Sequence, residues 1–201
     1  WYWAEHGISY NTDLVKPDKA PKAWFDLCKP DFKGQVSFDP PETRFMAGLY
    51  VMMGEAKTKE WFKCMGQNQP IIQQGHTQRM ELMLTGDHAV QGDNYFYTGV
   101  EAKKEDPKAP FAMVLSAPVL SFAGAMVINK NTQHPYASAL FVDWTLGEDS
   151  QNLINSILRG PLTIKHPYLP EDVKLVTYNI VGDDVTKRLH EAWNQSIGRM
   201  K

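Results

Sequence analysis

Cysteine is nearly missing: Cys28 and Cys64 are the only two in 201 residues. Their separation fits neither a CxxC redox pair nor a zinc-ligand pattern, which leaves a disulfide formed in an oxidising compartment or two buried thiols. An excess of positive charge is missing as well. Lys and Arg number 21 against 23 Asp and Glu, for a formal net charge of −2, so nothing here marks a nucleic-acid partner. No apolar run is long enough to span a bilayer, and neither internal repeats nor low-complexity segments occur. The G-x-S-x-G, P-loop, G-x-G-x-x-G and HExxH signatures are all lacking, and the six histidines lie far apart. These absences remove the common hydrolase, nucleotide-binding and metalloprotease sites and imply no resident cofactor. The chain opens on Trp1 without a signal peptide, as expected of a mature or trimmed product.

What is present is an ordinary globular composition, 43% hydrophobic and 22% charged, with enough length for one substantial core or two small ones. Strand patterns alternate with helical ones. GISY (7–10), GQVSFD (34–39), HAVQG (88–92), FAMVL (111–115) and GAMVIN (124–129) read as extended. Helices are expected over Lys22–Cys28, Arg44–Met53, Thr58–Met65, Thr77–Leu84 and Asn94–Ala102, with VTKRLHEAWNQSIG (185–198) closing the chain and burying Leu189, Trp193 and Ile197. In HPYASALFVDWTLGEDSQ (134–151), Pro135 primes a helix whose Ala137, Leu140, Phe141 and Trp144 share one buried face. Gly147 ends that helix, and Glu148, Asp149 and Ser150 open another that buries Leu153, Ile154, Ile157 and Leu158. The alternation predicts an α/β fold with a mainly parallel sheet flanked by helices.

Several blocks, in this order, resemble the extracellular solute-binding proteins of bacterial ABC importers, in particular the ferric-iron-binding periplasmic group. ISYNTDLV is similar to the family's inter-lobe strand, and APKAWFDLCKPDFKGQVSFDPP to its P-x-x-W-x-D-L segment. TGDHAV resembles its G-E-x-A turn and strand, and GAMVINKNTQHPYASALFVDWTLGEDSQNLI its strand followed by HP-x-A-A-x-x-F-x-D-x-x-L helices. The resemblance implies a type 2 periplasmic-binding fold of two α/β lobes, and a chain that looks like a fragment lacking most of the first lobe. On that basis residues 1–123 form the second-lobe ligand-binding domain, 124–160 a return segment that docks on the first lobe, and 161–201 a C-terminal segment with the closing helix. Apolar faces left by a missing lobe would favour self-association.

The resemblance further implies that loops at the carboxyl ends of strands meet the solute. The first is Pro41-Glu42-Thr43-Arg44, where a helix N-terminus and an arginine can hold an anion, although Thr43 as a plain N-cap beside a surface arginine explains it equally. The second is Gly75-His76-Thr77-Gln78, whose His76 suits an anion when charged, a metal when neutral, or simply solvent. The third holds Asn94-Tyr95 where iron-binding relatives carry two adjacent tyrosines, so one phenolate position is kept and its neighbour is an amide. Tyr97, on a helix, would point about 200° away from Tyr95 and pack as an aromatic.

The candidate ligand set is thus Glu42, Thr43, Arg44, His76, Thr77, Asn94 and Tyr95, with Tyr95 and His76 as metal ligands if the solute is ferric iron with a synergistic anion. A small organic or phosphorylated anion is the other solute. The implied partner is an inner-membrane ABC permease, and the implied location is periplasmic or extracellular, lipid-anchored in a Gram-positive-type cell. A ligand-sensing domain or an enzyme on the same lobe is the alternative.

Overall fold

The computed structural model describes residues 1–40, 43–162, 165–179 and 181–198. One mixed sheet runs through the described residues. Its strands are β1 (Trp3–Asn11), β2 (Val36–Phe38), β3 (Ile71–Ile72), β4 (Val90–Tyr95), β5 (Phe111–Met113), β6 (Val119–Ala123) and β7 (Leu175–Tyr178). The order is β3-β2-β4-β1-β6-β7, with β5 also paired to β1. β1 is antiparallel to β4, β5 and β6, while β2 is parallel to β3 and β4, and β6 to β7. Six strands therefore share one direction and β1 alone opposes them, which places the start of β1 at the carboxyl ends of its neighbours.

The helices are α1 (Thr43–Gln67), α2 (His76–Thr85), α3 (Phe96–Glu105), α4 (Pro135–Leu146), α5 (Glu148–Ser156) and α6 (Asp183–Ser196). Trp24–Cys28 is a 3₁₀ turn. α1 is two helices meeting at Gly54, whose φ of 79° only glycine adopts freely. This is the break expected between the 44–53 and 58–65 helices. On one face of the sheet α1 and α6 cover a core that includes Ile8, Phe38, Phe45, Trp61 and Trp193. The adjacent Gly7 faces Phe96 of α3 on the other side, as strand alternation requires. Leu189 and Trp193 are buried as the 3.6-residue period predicts. Cys28 and Cys64 are joined in a disulfide, which settles the choice left open by their number.

Three expectations are corrected. Residues 124–129 are not a strand: beyond Ala123, paired with Trp3, Gly124 still donates its N–H to the Tyr2 carbonyl at 2.8 Å, and from Ala125 on no ladder hydrogen bond is found among the described residues. The helix expected from Asn94 starts only at Phe96, because the β1 ladder (Gly7 with Asn94, His6 with Tyr95) holds both residues in β4. The apolar stripe of α4 is exposed rather than buried, with Leu140 at 69% and Phe141 at 56%. Of the residues expected on the buried side of the next helix, Ile154 of α5 and Leu158 just beyond it are buried, while Leu153 and Ile157 are exposed. β3, β6 and β7 were not anticipated.

Candidate functional site

A cavity of about 490 Å³ opens where β4 and β6 end and β1 begins. α1 brings Arg44 to it from its first turn. The guanidinium carbon lies 4.7 Å from the centre of the Phe122 ring, so the cation rests on an aromatic face while its N–H groups stay available. Arg159, three residues past α5, lies 3.2 Å over the ring of Tyr97. Tyr95, the last residue of β4, has its ring 6.0 Å from that of Tyr97. Among the described lining residues two are cations and none is an anion. Phenols are neutral donors near pH 7, so the wall presents positive charge and hydrogen-bond donors.

Behind Tyr95 stands a buried ionic cluster. Arg79 of α2 is fully buried, with Nη1 2.6 Å from Asp93 of β4 and Nη2 3.5 Å from Asp39. Its Nη2 also lies 2.9 Å from Nδ1 of His76. Arginine can only donate, so Nδ1 is the acceptor and the ring proton sits on Nε2, 3.4 Å from Asp39. The His76 ring meets Tyr95 edge-on at 4.5 Å. Burial raises the Asp39 carboxyl above the usual aspartate range, against the pull of His76 and Arg79. The cluster ties the ends of β2 and β4 to the start of α2, and so fixes the strand end that carries Tyr95.

Of the residues proposed from sequence, Arg44 and Tyr95 line the cavity and His76 supports Tyr95 from behind. Glu42 lies outside the described residues. The Thr43 hydroxyl is 3.0 Å from Nε2 of His190 on α6. Thr77 borders a different cavity, between α2 and α3. Asn94 is buried on the opposite face of β4, where its side-chain oxygen accepts the Thr98 hydroxyl at 3.0 Å. Tyr97 corrects its expected direction: Tyr95 ends a strand instead of sharing a helix with it, so the two rings stand side by side. Arg159, Phe122 and the Asp39–Arg79–Asp93 cluster were missed. Only Arg159 carried a signal, as the one cation in the apolar run ILRGPL.

Among the described residues no group of three or more His, Cys, Asp or Glu could hold a metal, and no helix is long and apolar enough to cross a membrane. No curated protein sequence matches the chain. Solved structures do share its fold. Iron-bound HitA from Pseudomonas aeruginosa superposes with a TM-score of 0.76 at 17% identity, over 97% of this chain and 67% of that one. AfuA from Actinobacillus pleuropneumoniae, with fructose 6-phosphate bound, gives 0.71 at 21%, over 99% and 68%. Apo FutA2 from Synechocystis PCC6803 gives 0.69 at 13%, over 99% and 70%. The chain thus spans about two thirds of the length of these proteins. The profile of the bacterial extracellular solute-binding proteins matches residues 1–187, and the chain belongs to that family.

Proposed function

We propose that this chain is the solute-capturing part of a bacterial ABC importer, and that its solute carries a phosphate or carboxylate group held between Arg44 and Arg159. The supporting observation is the convergence of two guanidiniums and three phenols, those of Tyr2, Tyr95 and Tyr97, on one cavity whose described lining residues include no carboxylate. Two planar forks flanking such a space suit an oxyanion that can accept several N–H bonds. The protein performs no catalysis on the solute and delivers it to an inner-membrane permease. In a protein of the relatives' full length, the third that this chain does not span would close the cavity and cover the exposed apolar face of α4. The side-by-side Tyr95 and Tyr97 favour a second reading, ferric iron held by two phenolates with an anion on the arginines.

The test is calorimetry and thermal shift with inorganic phosphate, fructose 6-phosphate and ferric citrate. A phosphate-bearing solute is expected to stabilise the protein, and Arg44→Ala or Arg159→Ala to weaken it by about 1.5–3 kcal/mol, the scale of a charge-assisted hydrogen bond. Iron bound by the two phenols instead produces a visible phenolate-to-iron absorption band that Tyr95→Phe removes. Unchanged affinity in both arginine variants, or turnover of phosphate esters, contradicts the proposal.

A further inference from the structure

A buried carboxylate stands behind the cavity wall. Glu5 lies on β1 opposite Ser121 of β6 and is 1% exposed. Such a charge is retained only where something compensates it. Its Oε2 lies 2.9 Å from Nε2 of His166. Nδ1 of the same ring accepts the backbone N–H of Leu169 at 3.2 Å, which leaves the ring proton on Nε2, within ion-pair distance of the carboxylate but not aligned for a hydrogen bond to it. The Tyr168 ring meets His166 edge-on at 4.5 Å, and its hydroxyl is buried. Burial, and then the charge of Glu5, raise this phenol well above the usual tyrosine range, while the charge of Arg159 pulls the other way. The hydroxyl therefore sits in the fields of both Glu5 and Arg159.

On its other side Glu5 touches the backbone that carries Arg159. A Cβ on Gly160 would lie 2.4 Å from Oε1 of Glu5 and 2.9 Å from Cβ of Trp3, so a side chain here would force Glu5 or β1 to shift. Gly160 is also paired to Trp3 by two backbone hydrogen bonds, of 2.6 and 3.0 Å. Immediately upstream, Leu158 has a φ of 60°, a left-handed conformation rare for a residue with a side chain. Such a conformation persists where its surroundings over-determine it. Arg159 lies between these two constrained positions and is aimed onto Tyr97.

We propose that Glu5, with His166 and Tyr168, is a strut that positions Arg159 for the solute's anionic group, which makes Glu5 a specificity determinant that never touches the solute. This rests on the anion-binding reading above. Without the carboxylate the 158–160 backbone relaxes and the guanidinium leaves its place over Tyr97.

The test is a double-mutant cycle read by calorimetry on the 201-residue chain, with inorganic phosphate as the probe. Glu5→Gln is expected to weaken phosphate binding about fivefold to twentyfold, and by less than about twofold when Arg159 is already alanine, since coupled residues are non-additive. Tyr168→Phe removes one hydroxyl only. It is expected to show a smaller loss with the same dependence on Arg159, and it carries the test if Glu5→Gln fails to fold. Full phosphate affinity in Glu5→Gln or Tyr168→Phe, beside a loss in Arg159→Ala, overturns the strut and leaves the anion site standing. Losses that simply add to that of Arg159→Ala also overturn it. Phosphate affinity indifferent to both Arg44→Ala and Arg159→Ala removes the anion site and the strut together.

Discussion

Replacing Arg79 by methionine tests whether the buried cluster behind Tyr95 behaves as the geometry requires. Arg79 is fully buried, 2.6 Å from Asp93 and 3.5 Å from Asp39, and donates to His76 at 2.9 Å. Methionine fills a similar volume, so little of the effect comes from a cavity. What is lost is the counter-charge of Asp93, itself 1% exposed. Removing one partner of a buried ion pair costs about 3–5 kcal/mol, against a total stability of about 5–15 kcal/mol for a folded domain. At about 2–4 °C per kcal/mol for a chain of this size, the melting temperature falls by about 6–20 °C.

The deficit also depends on pH. Without Arg79 one of the charges that lower the Asp39 carboxyl is gone while burial still raises it, so between the ordinary aspartate range and the raised one the folded chain binds more protons than the unfolded chain. The variant therefore regains stability as pH falls. Asp39 of the parent, raised by burial, has the same sign: its contribution is present at low pH and lost as pH rises through its folded value. Urea unfolding followed by tryptophan fluorescence, at about pH 7 and about pH 5, reads both effects. A deficit below about 1 kcal/mol, within the range of an exposed pair, would refute the reasoning, as would one that does not shrink on acidification.

The Cys28–Cys64 bridge closes a loop with a sequence separation of 36. Chain-entropy arithmetic puts its contribution at about 3–4 kcal/mol, so reduction is expected to shift the urea midpoint correspondingly; an unchanged midpoint would contradict this. The Arg188 fork spans both oxygens of Glu55 at 3.1 Å and fastens α6 to α1. Its hydrogen bond draws the Glu55 carboxyl down to about 2. The resulting stabilisation is present above the ordinary glutamate range and lost as pH falls toward about 2, so a Glu55→Gln variant should match the parent in strong acid and in high salt. Leu140→Lys with Phe141→Lys, on the exposed face of α4, should reduce binding of a hydrophobic dye and any self-association by sedimentation while leaving the melting temperature unchanged. A marked fall in melting temperature would mean that the face is packed.

Much of the architecture was legible in local patterns. The spacing of Leu189 and Trp193 identified α6 and its buried side, and the glycine at 54 separated two helical runs. Arg44 and Tyr95 were proposed from the family resemblance, in loops where a strand gives way to a helix, and both line the same cavity. Tyr97 was misjudged because its direction depends on where β4 stops, and that is set by pairing with His6 across the sheet. Arg79 and Asp93 are 14 residues apart on different elements, and no local period joins them. The stripe on α4 was read correctly as apolar, yet an apolar period reports only what a surface avoids, not whether a neighbour covers it.

The sequence by itself determined the alternation of strands and helices, the absence of the common catalytic signatures, and the resemblance that points to solute capture. Those follow from propensity, periodicity and residue order, which act within a turn or two of the chain. Only the tertiary structure decided that Arg44, Tyr95, Tyr97 and Arg159 share one cavity and that α4 shows its apolar face. It also decided that Glu5 reaches His166 across the chain. These are contacts between residues dozens of positions apart, and they arise when β1 lies antiparallel between β4 and β6, an arrangement set by the packing of the whole sheet.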